Sequence, residues 1–515
     1  MSDRPPLSLK DRAFAGGAWQ FVASGSIGAT QIAVFAFLAR RLSPEAFGNF
    51  AAASIVLAFV TVGCLLGLPA TIVQREHDER RFLASANAVG VTMGIVGAAV
   101  LVLGAPIAVD VFGVPGRENV FRVMGIVLFA RAARSVGTAM LHRELAFQAL
   151  GRVQISSYLL GYVSVAVIHG SLRPSVWTLV FATIAYECLF TIAVLSRMPP
   201  PAPRLPRRGD LHAIAGFGGG VALANAAATL ARQADDVVVA RFLGTTSLGI
   251  YERSFAILAR LDEQIVNTTQ SVSLASLARR NTDRDAQSAA LLTGQTLLHV
   301  VLISSSIVGS VVADEIVHVL LGDQWDDAIA PLRLMLLSLS FLSGARVFDT
   351  VPVAVGNTWA LAKRRLIGLA LIVVGALAGE PWGVTGVAAG SGIAIVATYG
   401  LSTDLAARSL GVTRARLLVP LRAGALAAPL IAGPALIAIV LARTLAGNDL
   451  FTLGVGLTAL VLSALNALRF DFALGPDPAM VRVQLRRIPV VGPVLGSVST
   501  GGGIPAPSDP HSSQE

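Results

Sequence analysis

The chain has little of what a soluble enzyme or a secreted domain is built from. Charged residues are 14% of its 515 positions, aromatic residues are 6%, and there are two cysteines. Cys64 and Cys188 both lie inside apolar stretches with neither CxxC nor Cys/His spacing, so neither a disulfide framework nor a zinc or other metal site is expected. GxSxG, HExxH and P-loop motifs are absent, and no GxGxxG stands between a strand and a helix, so no catalytic residues are assigned and the chain is not expected to be an enzyme. No polar loop is long enough to fold as a catalytic domain of its own, which argues against a membrane polymerase or glycosyltransferase. The acidic segment Gly322 to Asp327, GDQWDD, is the one place where such an enzyme's acidic dyad would be sought.

What the chain does have is apolar length. Hydrophobic residues are 54% of it and the mean hydropathy is +0.69, more apolar surface than a soluble core of ordinary shape can hide. A bilayer core takes about 20 apolar residues per helix. The sequence divides into such stretches at 16–39, 46–73, 86–112, 120–141, 151–170, 175–196, 212–240, 248–275, 288–312, 329–354, 362–379, 383–405, 418–442 and 450–470. The expected fold is an all-α polytopic membrane protein with about 14 transmembrane helices.

The formal charge of +9 would suggest nucleic acid in a soluble protein. Here the basic residues sit in short loops, where they fix topology, and no nucleic-acid partner is expected. With the N-terminus inside, the inner loops hold sets such as Arg75, Arg80 and Arg81, then Arg197, Arg204, Arg207 and Arg208, then Lys363, Arg364 and Arg365. Most outer loops carry one basic residue or none. Both termini are therefore expected in the cytoplasm, with the protein multi-pass in a bacterial cytoplasmic (inner) membrane.

An internal repeat organises the rest. Leu38 to Phe50, LARRLSPEAFGNF, aligns with Val239 to Tyr251, VARFLGTTSLGIY, pairing Arg40 with Arg241, Gly48 with Gly249 and Phe50 with Tyr251. Further pairs follow in order, IAVDVFG from Ile107 with IVHVLLG from Ile316 and FRVM from Phe121 with LRLM from Leu332. Six spans per unit is an even number, so the copies enter the membrane in the same sense, an arrangement of transporters with the substrate path between lobes. The expected domains are an N-terminal six-helix lobe at 1–197, a Pro-rich linker at 198–210 and a C-terminal lobe at 211–408. Two further helices at 409–470 and a cytoplasmic tail at 471–515, disordered from about 496, complete the chain.

Charge inside a bilayer costs about 2.5 to 3.5 kcal/mol per residue at the helix centre on insertion scales, so intramembrane polar groups are the site candidates. On a helix, Asn225, Thr229, Arg232 and Asp236 share one stripe, with Asp235 beside it. Arg232 and Asp236 either neutralise each other as a structural lock or line a water-filled cavity, where Arg232 would meet an anion and Asp235 or Asp236 a proton or sodium ion. Gln20, Ser24 and Gln31 share a face of the first span, and Arg253 and Arg260 a stripe of the eighth. Arg131 and Arg134 have no acid near them in sequence, which leaves an acid from another helix or a phosphate-bearing ligand as partner. Arg346 and Asp349, three apart, are expected to pair. Lone His299 and His318 are read as packed side chains, not ligands.

Several segments carry a family resemblance in order: ARRLSPEAFGNFAAA, LHRELAFQALGRVQ, RQADDVVVARFLGTTSLGIYERSFAI, SLASLARRNTDRD and VLLGDQWDDAIAPLRLM. Together they resemble bacterial polysaccharide flippases of the Wzx type, the colanic-acid exporter-like group of the multidrug/oligosaccharidyl-lipid/polysaccharide exporter superfamily. The resemblance implies two six-helix lobes working by alternating access, and an undecaprenyl-diphosphate-linked oligosaccharide as substrate. It also implies a lipid-tail groove at the last two helices, contact with membrane lipids, and a polysaccharide polymerase and chain-length machinery as partners. Arg232, Arg253 and Arg260, with Arg131 or Arg134, would then hold the diphosphate, with Asn225, Gln31 and Gln20 alongside. No cofactor is implied beyond proton or sodium coupling. The family segment usually has one acid followed by Lys or Asn where this chain has Asp235-Asp236, which leaves open which of the two acts. A cation-coupled drug or metabolite antiporter of the same superfamily is the alternative. Alkaline phosphatase fused after Gly116 or Gly322 is expected to be active and after Arg143 or Arg208 inactive; the inverse pattern would overturn the topology.

Overall fold

The computed structural model describes residues 28, 30–65, 68, 71–72, 80–210, 226–279, 284–446 and 448–467. Gln20, Asn225 and the tail from 496 lie outside the described residues. Among the described residues every regular element is a helix. That is what a bilayer dictates, since a helix satisfies its backbone groups within one segment. The first lobe contains α1 (Thr30–Ala39), α2 (Pro44–Leu65), α3 (Arg80–Phe112), α4 (Glu118–Arg143), α5 (Phe147–Leu172) and α6 (Val176–Arg197). The second contains α7 (Ala234–Arg279), α8 (Arg284–Val311), the short α9 (Ala313–Leu320), α10 (Ile329–Phe348), α11 (Thr358–Gly379) and α12 (Gly383–Leu410). Two more, α13 (Arg414–Ala446) and α14 (Asp449–Ala467), pack on the second lobe against α8.

Ten stretches among the described residues are long and apolar enough to cross a membrane. Their outward faces carry Leu103, Ile107, Leu160, Ile393 and Leu426, all exposed, which suits lipid and not water. Pro106 in α3 and Pro420, Pro429 and Pro434 in α13 stay within helices, as membrane helices tolerate. The Pro-rich linker is latched to α3: Asn87 donates to the Pro201 carbonyl at 2.9 Å and Ser85 to Asp210 at 2.9 Å. Burial acts upward on the Asp210 carboxyl, but the Arg207 backbone N–H and the Ser85 hydroxyl hold it below its usual range.

The end of the seventh span and the eighth span form one continuous element, α7, broken only at Gly244, whose φ of 84° and ψ of 175° lie outside any helix. A positive φ is cheap only for glycine. Upstream, residues 226–231 are helical, and Arg232 and Gln233 form a turn in which Gln233 N–H bonds Leu230 at 3.1 Å. The helix expected to carry Asn225, Thr229, Arg232 and Asp236 on one stripe is thus broken at Arg232 and Gln233. The break places Asp235 and Asp236 in the first turn of α7, where the helix dipole favours acids.

The lobes meet where the repeat meets itself. A Cβ on Gly48 would lie 1.8 Å from the Thr245 carbonyl oxygen, and one on Gly249 would lie 1.9 Å from the Pro44 carbonyl oxygen. Gly48 and Gly249 are partners in the sequence repeat, as are Pro44 and Thr245, so the contact is reciprocal about a local two-fold. Beside it Trp325, fully buried, sets its ring edge-on to Phe47 at 5.4 Å and donates its indole N–H to the Ala39 carbonyl at 2.9 Å. Gln324 also bonds the Ala39 carbonyl, and Arg40 reaches the Val319 carbonyl at 2.7 Å. The GDQWDD segment is therefore a short 3-10 turn that fastens the two lobes together at this end.

Replacing Gly48 or Gly249 by Ala puts a methyl group against a backbone carbonyl that no rotamer can move, so thermal unfolding in detergent should fall by at least the about 1–3 kcal/mol typical of overpacking. Gly63, with open space at its Cβ, is the matched control. Equal unfolding temperatures for all three Ala variants would refute the crossing.

Candidate functional site

Inside the closed end lies a cavity of about 300 Å³. Its walls come from both lobes: Gln31, Phe35 and Leu38 of α1, Phe47 of α2, Arg131 of α4, Gln154, Tyr158 and Tyr162 of α5, Thr183, Tyr186 and Glu187 of α6, and Arg253 and Arg260 of α7. Phe47 belongs to both features, so the Trp325 plug and the cavity share a wall.

Four residues singled out in the sequence, Gln31, Arg131, Arg253 and Arg260, converge here from separate helices. Each arginine is held differently. Arg131 Nε donates to Glu187 Oε1 at 2.8 Å, and Arg134, one helical turn on, pairs with Glu187 and donates to the Thr191 hydroxyl at 3.2 Å. Of the two partners open for this pair, the structure supplies the acid from another helix. Glu187 is 2% exposed, so two guanidinium groups compensate one buried carboxylate, as burial of charge demands. Arg134 also stacks on Phe190, 4.5 Å from the ring centre, and stands behind the cavity wall while Arg131 forms part of it.

Arg253 Nε donates to Glu252 at 2.6 Å, and its guanidinium lies 5.0 Å over Phe35 and 4.5 Å over Phe47. Cation–π contacts of this kind fix the fork without neutralising it. Arg260 meets a neutral group, donating to the Gln31 amide oxygen across the lobe interface. The cavity therefore carries more positive than negative charge. Arg fits a diphosphate because its planar fork bonds phosphate oxygens in pairs.

Arg232 is exposed at the turn before α7 and donates to the Thr229 hydroxyl at 3.4 Å; it is not among the residues that line the cavity. Asp235 and Asp236 are 8% and 5% exposed. Tyr251 donates to Asp235, whereas Asp236 Oδ1 meets no protein donor among the described residues. In the repeat, Asp235, Asp236 and Tyr251 stand where the first lobe has Val34, Phe35 and Phe50, so the acid and its hydroxyl partner occur together in one lobe and are both missing from the other.

Other buried charge is structural. Asp262 accepts from Ser343 and pairs with Arg346, and Asp349 pairs with Arg364 and Arg365. Arg346 and Asp349, expected to pair with each other, thus each bind a different helix, because α7 and α11 bring closer partners than the helix itself. His299 is fully buried between Ser340 at 2.7 Å and Tyr399 at 3.0 Å, a packed histidine as expected. At the plugged end, His318 Nε2 donates to the Asp326 carboxylate at 2.9 Å, which raises the His318 pKa above the usual value, with Asp449 and Asp323 adding to the effect.

Sequence reasoning missed Tyr158, Tyr162, Tyr186, Gln154, Thr183 and Glu187. The Tyr158–Tyr162 spacing was visible, but α5 carries a π-helical turn at Tyr158–Val163, whose extra residue shifts the face beyond it in a way no 3.6 period reports.

Two six-helix lobes closing over a cationic cavity between them define a multi-pass membrane transporter. The chain belongs to the polysaccharide biosynthesis protein family, which matches residues 37–330, more than half of its length. It is 26% identical over 333 residues to the succinoglycan biosynthesis transport protein ExoT of Rhizobium meliloti, covering 63% of this chain and 67% of that one. It is 19% identical over 381 residues to the lipopolysaccharide biosynthesis protein WzxC of Escherichia coli, covering 72% and 77%. Among solved structures it resembles the lipid II flippase MurJ in its inward closed conformation, with a TM-score of 0.70 at 11% identity over 88% of this chain and 99% of that one. At that identity the likeness speaks for the fold.

Glu187→Gln should lower the unfolding free energy by about 3 kcal/mol, the low end for breaking a buried pair, since Arg131 retains some solvent contact. A double-mutant cycle with Arg134→Gln measured by thermal unfolding is the check; coupling near zero would show that the pair adds nothing.

Proposed function

We propose that the chain flips a polyprenyl-diphosphate-linked oligosaccharide from the cytoplasmic to the periplasmic leaflet for surface or exopolysaccharide synthesis. The observation that carries the reading is the convergence of Arg131, Arg253 and Arg260 on one cavity between the lobes. A multivalent anion is the ligand that such a set of forks recognises. The polyprenyl tail stays in lipid while the head group occupies the cavity, and the relatives of the chain, transport and biosynthesis proteins for succinoglycan and lipopolysaccharide, favour this over a drug antiporter.

The basic-loop asymmetry puts the Gly48–Gly249 crossing and the Trp325 plug at the periplasmic end, with both termini in the cytoplasm of a bacterial inner membrane. The structure would then correspond to a state closed to the outside. Transport proceeds when the lobes rock apart at this end, separating Trp325 from Phe47 and Gln324 from Ala39, and exposing the head group outward. Arg260 and Gln31, on opposite lobes, would part in the same motion, which opens the cavity wall between the lobes. No bond of the substrate is made or broken, so no catalytic group is needed.

Asp235 and Asp236 are the coupling candidates. A buried carboxylate oxygen such as Asp236 Oδ1, with no protein donor among the described residues, is stabilised by a proton or a sodium ion. Moving one charge through the membrane potential yields about 2.3 kcal/mol per 100 mV, enough to bias the lobe equilibrium. A polymerase and chain-length machinery would act on the flipped product.

In a host deleted for its own flippase, with protein level checked, Arg260→Ala should cut polymer export at least about tenfold and Arg260→Lys should retain part of it, because Lys keeps the charge and loses the fork. Normal export by Arg260→Ala would remove the arginine set from the mechanism.

A further inference from the structure

Tyrosine is scarce in this chain, with five residues in 515, yet three of them, Tyr158, Tyr162 and Tyr186, line one wall of the cavity. Tyr158 and Tyr162 stack with ring centres 5.3 Å apart and planes at 9°, and Tyr186 stands edge-on to Tyr158 at 6.0 Å and 78°. The fold is shaped to bring them together. Tyr158 and Tyr162 sit in the π-helical turn of α5, a feature that concentrates at functional sites. Between them, Gly161 lets α6 come so near that a Cβ there would lie 2.7 Å from the Tyr186 backbone nitrogen. All three rings are half-buried, and Gln154 and Thr183 flank them on the same wall.

We infer that Tyr158, Tyr162 and Tyr186 form a saccharide subsite that grips the sugar next to the diphosphate, while the arginines hold the diphosphate itself. A pyranose has an apolar face of C–H bonds, whose positive edges suit the negative face of an aromatic ring, and a girdle of hydroxyls. The tyrosine wall supplies the rings. The phenol hydroxyls, the Gln154 amide and the Thr183 hydroxyl supply donors and acceptors for the girdle, the mixture of apolar area and a few placed polar groups that defines a ligand site. Distance supports the pairing of roles, because the first sugar is bonded directly to the diphosphate and its subsite must adjoin the cations. Arg253 and Arg260 line the same cavity as the three tyrosines.

Three tyrosines around a pocket can also cage an organic cation. Charge decides against that occupant here. Glu187, the one acid lining the cavity among the described residues, is already shared by Arg131 and Arg134, Arg253 pairs with Glu252 and Arg260 donates to the neutral Gln31 amide, so the four arginines outnumber the two acids and repel a cation.

The inference rests on the flippase reading and is tested so that the two can fail separately. Full-length protein in nanodiscs is titrated with undecaprenyl diphosphate, with undecaprenyl diphosphate bearing one hexose, and with tetraphenylphosphonium. The wild type should bind the hexose-bearing lipid about tenfold more tightly than the bare diphosphate. Tyr158→Ala, Tyr162→Ala and Tyr186→Ala should erase that difference while leaving the bare lipid's affinity within about twofold, which also reports that each variant is folded. Tyr158→Phe, keeping the ring and losing the hydroxyl, should retain part of the gap. Equal wild-type affinity for the two lipids, or equal losses on both in the Ala variants, would overturn the subsite alone. No binding of undecaprenyl diphosphate by the wild type would overturn the flippase reading and the subsite with it. Tighter binding of tetraphenylphosphonium, lost in the Tyr variants, would replace the sugar by a cation.

Discussion

Two backbones crossing at Gly48 and Gly249 set the rest of the structure. The approach is reciprocal, each glycine lying against the carbonyl of the other segment's first residue, Thr245 or Pro44. Lipid offers no hydrophobic force to press helices together, so close backbone packing through small residues is what holds one lobe to the other. Everything nearby depends on that separation. Were α2 and α7 a side chain farther apart, Trp325 would not reach Phe47 and the Ala39 carbonyl together, and the wall that Phe47 contributes to the cavity would be lost. Because the two glycines hold the same position in the repeated segment, the crossing is symmetric about a local two-fold.

Charge in the cavity follows a rule of partial compensation. The N-lobe guanidinium groups, Arg131 and Arg134, converge on one carboxylate, Glu187. The C-lobe ones lean on weaker partners, aromatic faces and Glu252 for Arg253 and an amide for Arg260. Full neutralisation would rigidify the site and leave nothing for an anion; none would make the cavity too costly to bury. The division also gives each lobe a chemistry, with aromatic and hydroxyl groups on the first and the less compensated cations on the second.

How much of this the residues disclose in order depends on how local the cause is. Arg253 and Arg260 were legible because a charge on an apolar helix needs a reason wherever it sits. Glu187 was not, since an isolated acid in span six looks like any other until α4 and α6 pack together and place it between two arginines. Arg346 and Asp349 misled for the same reason: three apart on one helix they look paired, yet α7 and α11 offer Asp262, Arg364 and Arg365 at better geometry. The turn at Arg232 and Gln233 was hidden because helical periodicity extends across it, and only the backbone shows that Asp235 begins a new helix.

Composition and periodicity alone determined the membrane class, the all-helical fold and the repeated segment that pairs Gly48 with Gly249, because each is a sum over many residues or a repeat of one pattern. Tertiary structure alone decided which polar groups share a cavity, which arginines are compensated, and that three tyrosines stand together. Those depend on contacts between helices far apart in sequence. In Tyr186 against Gly161 the deciding quantity is a backbone separation of a few ångströms, which no linear pattern records.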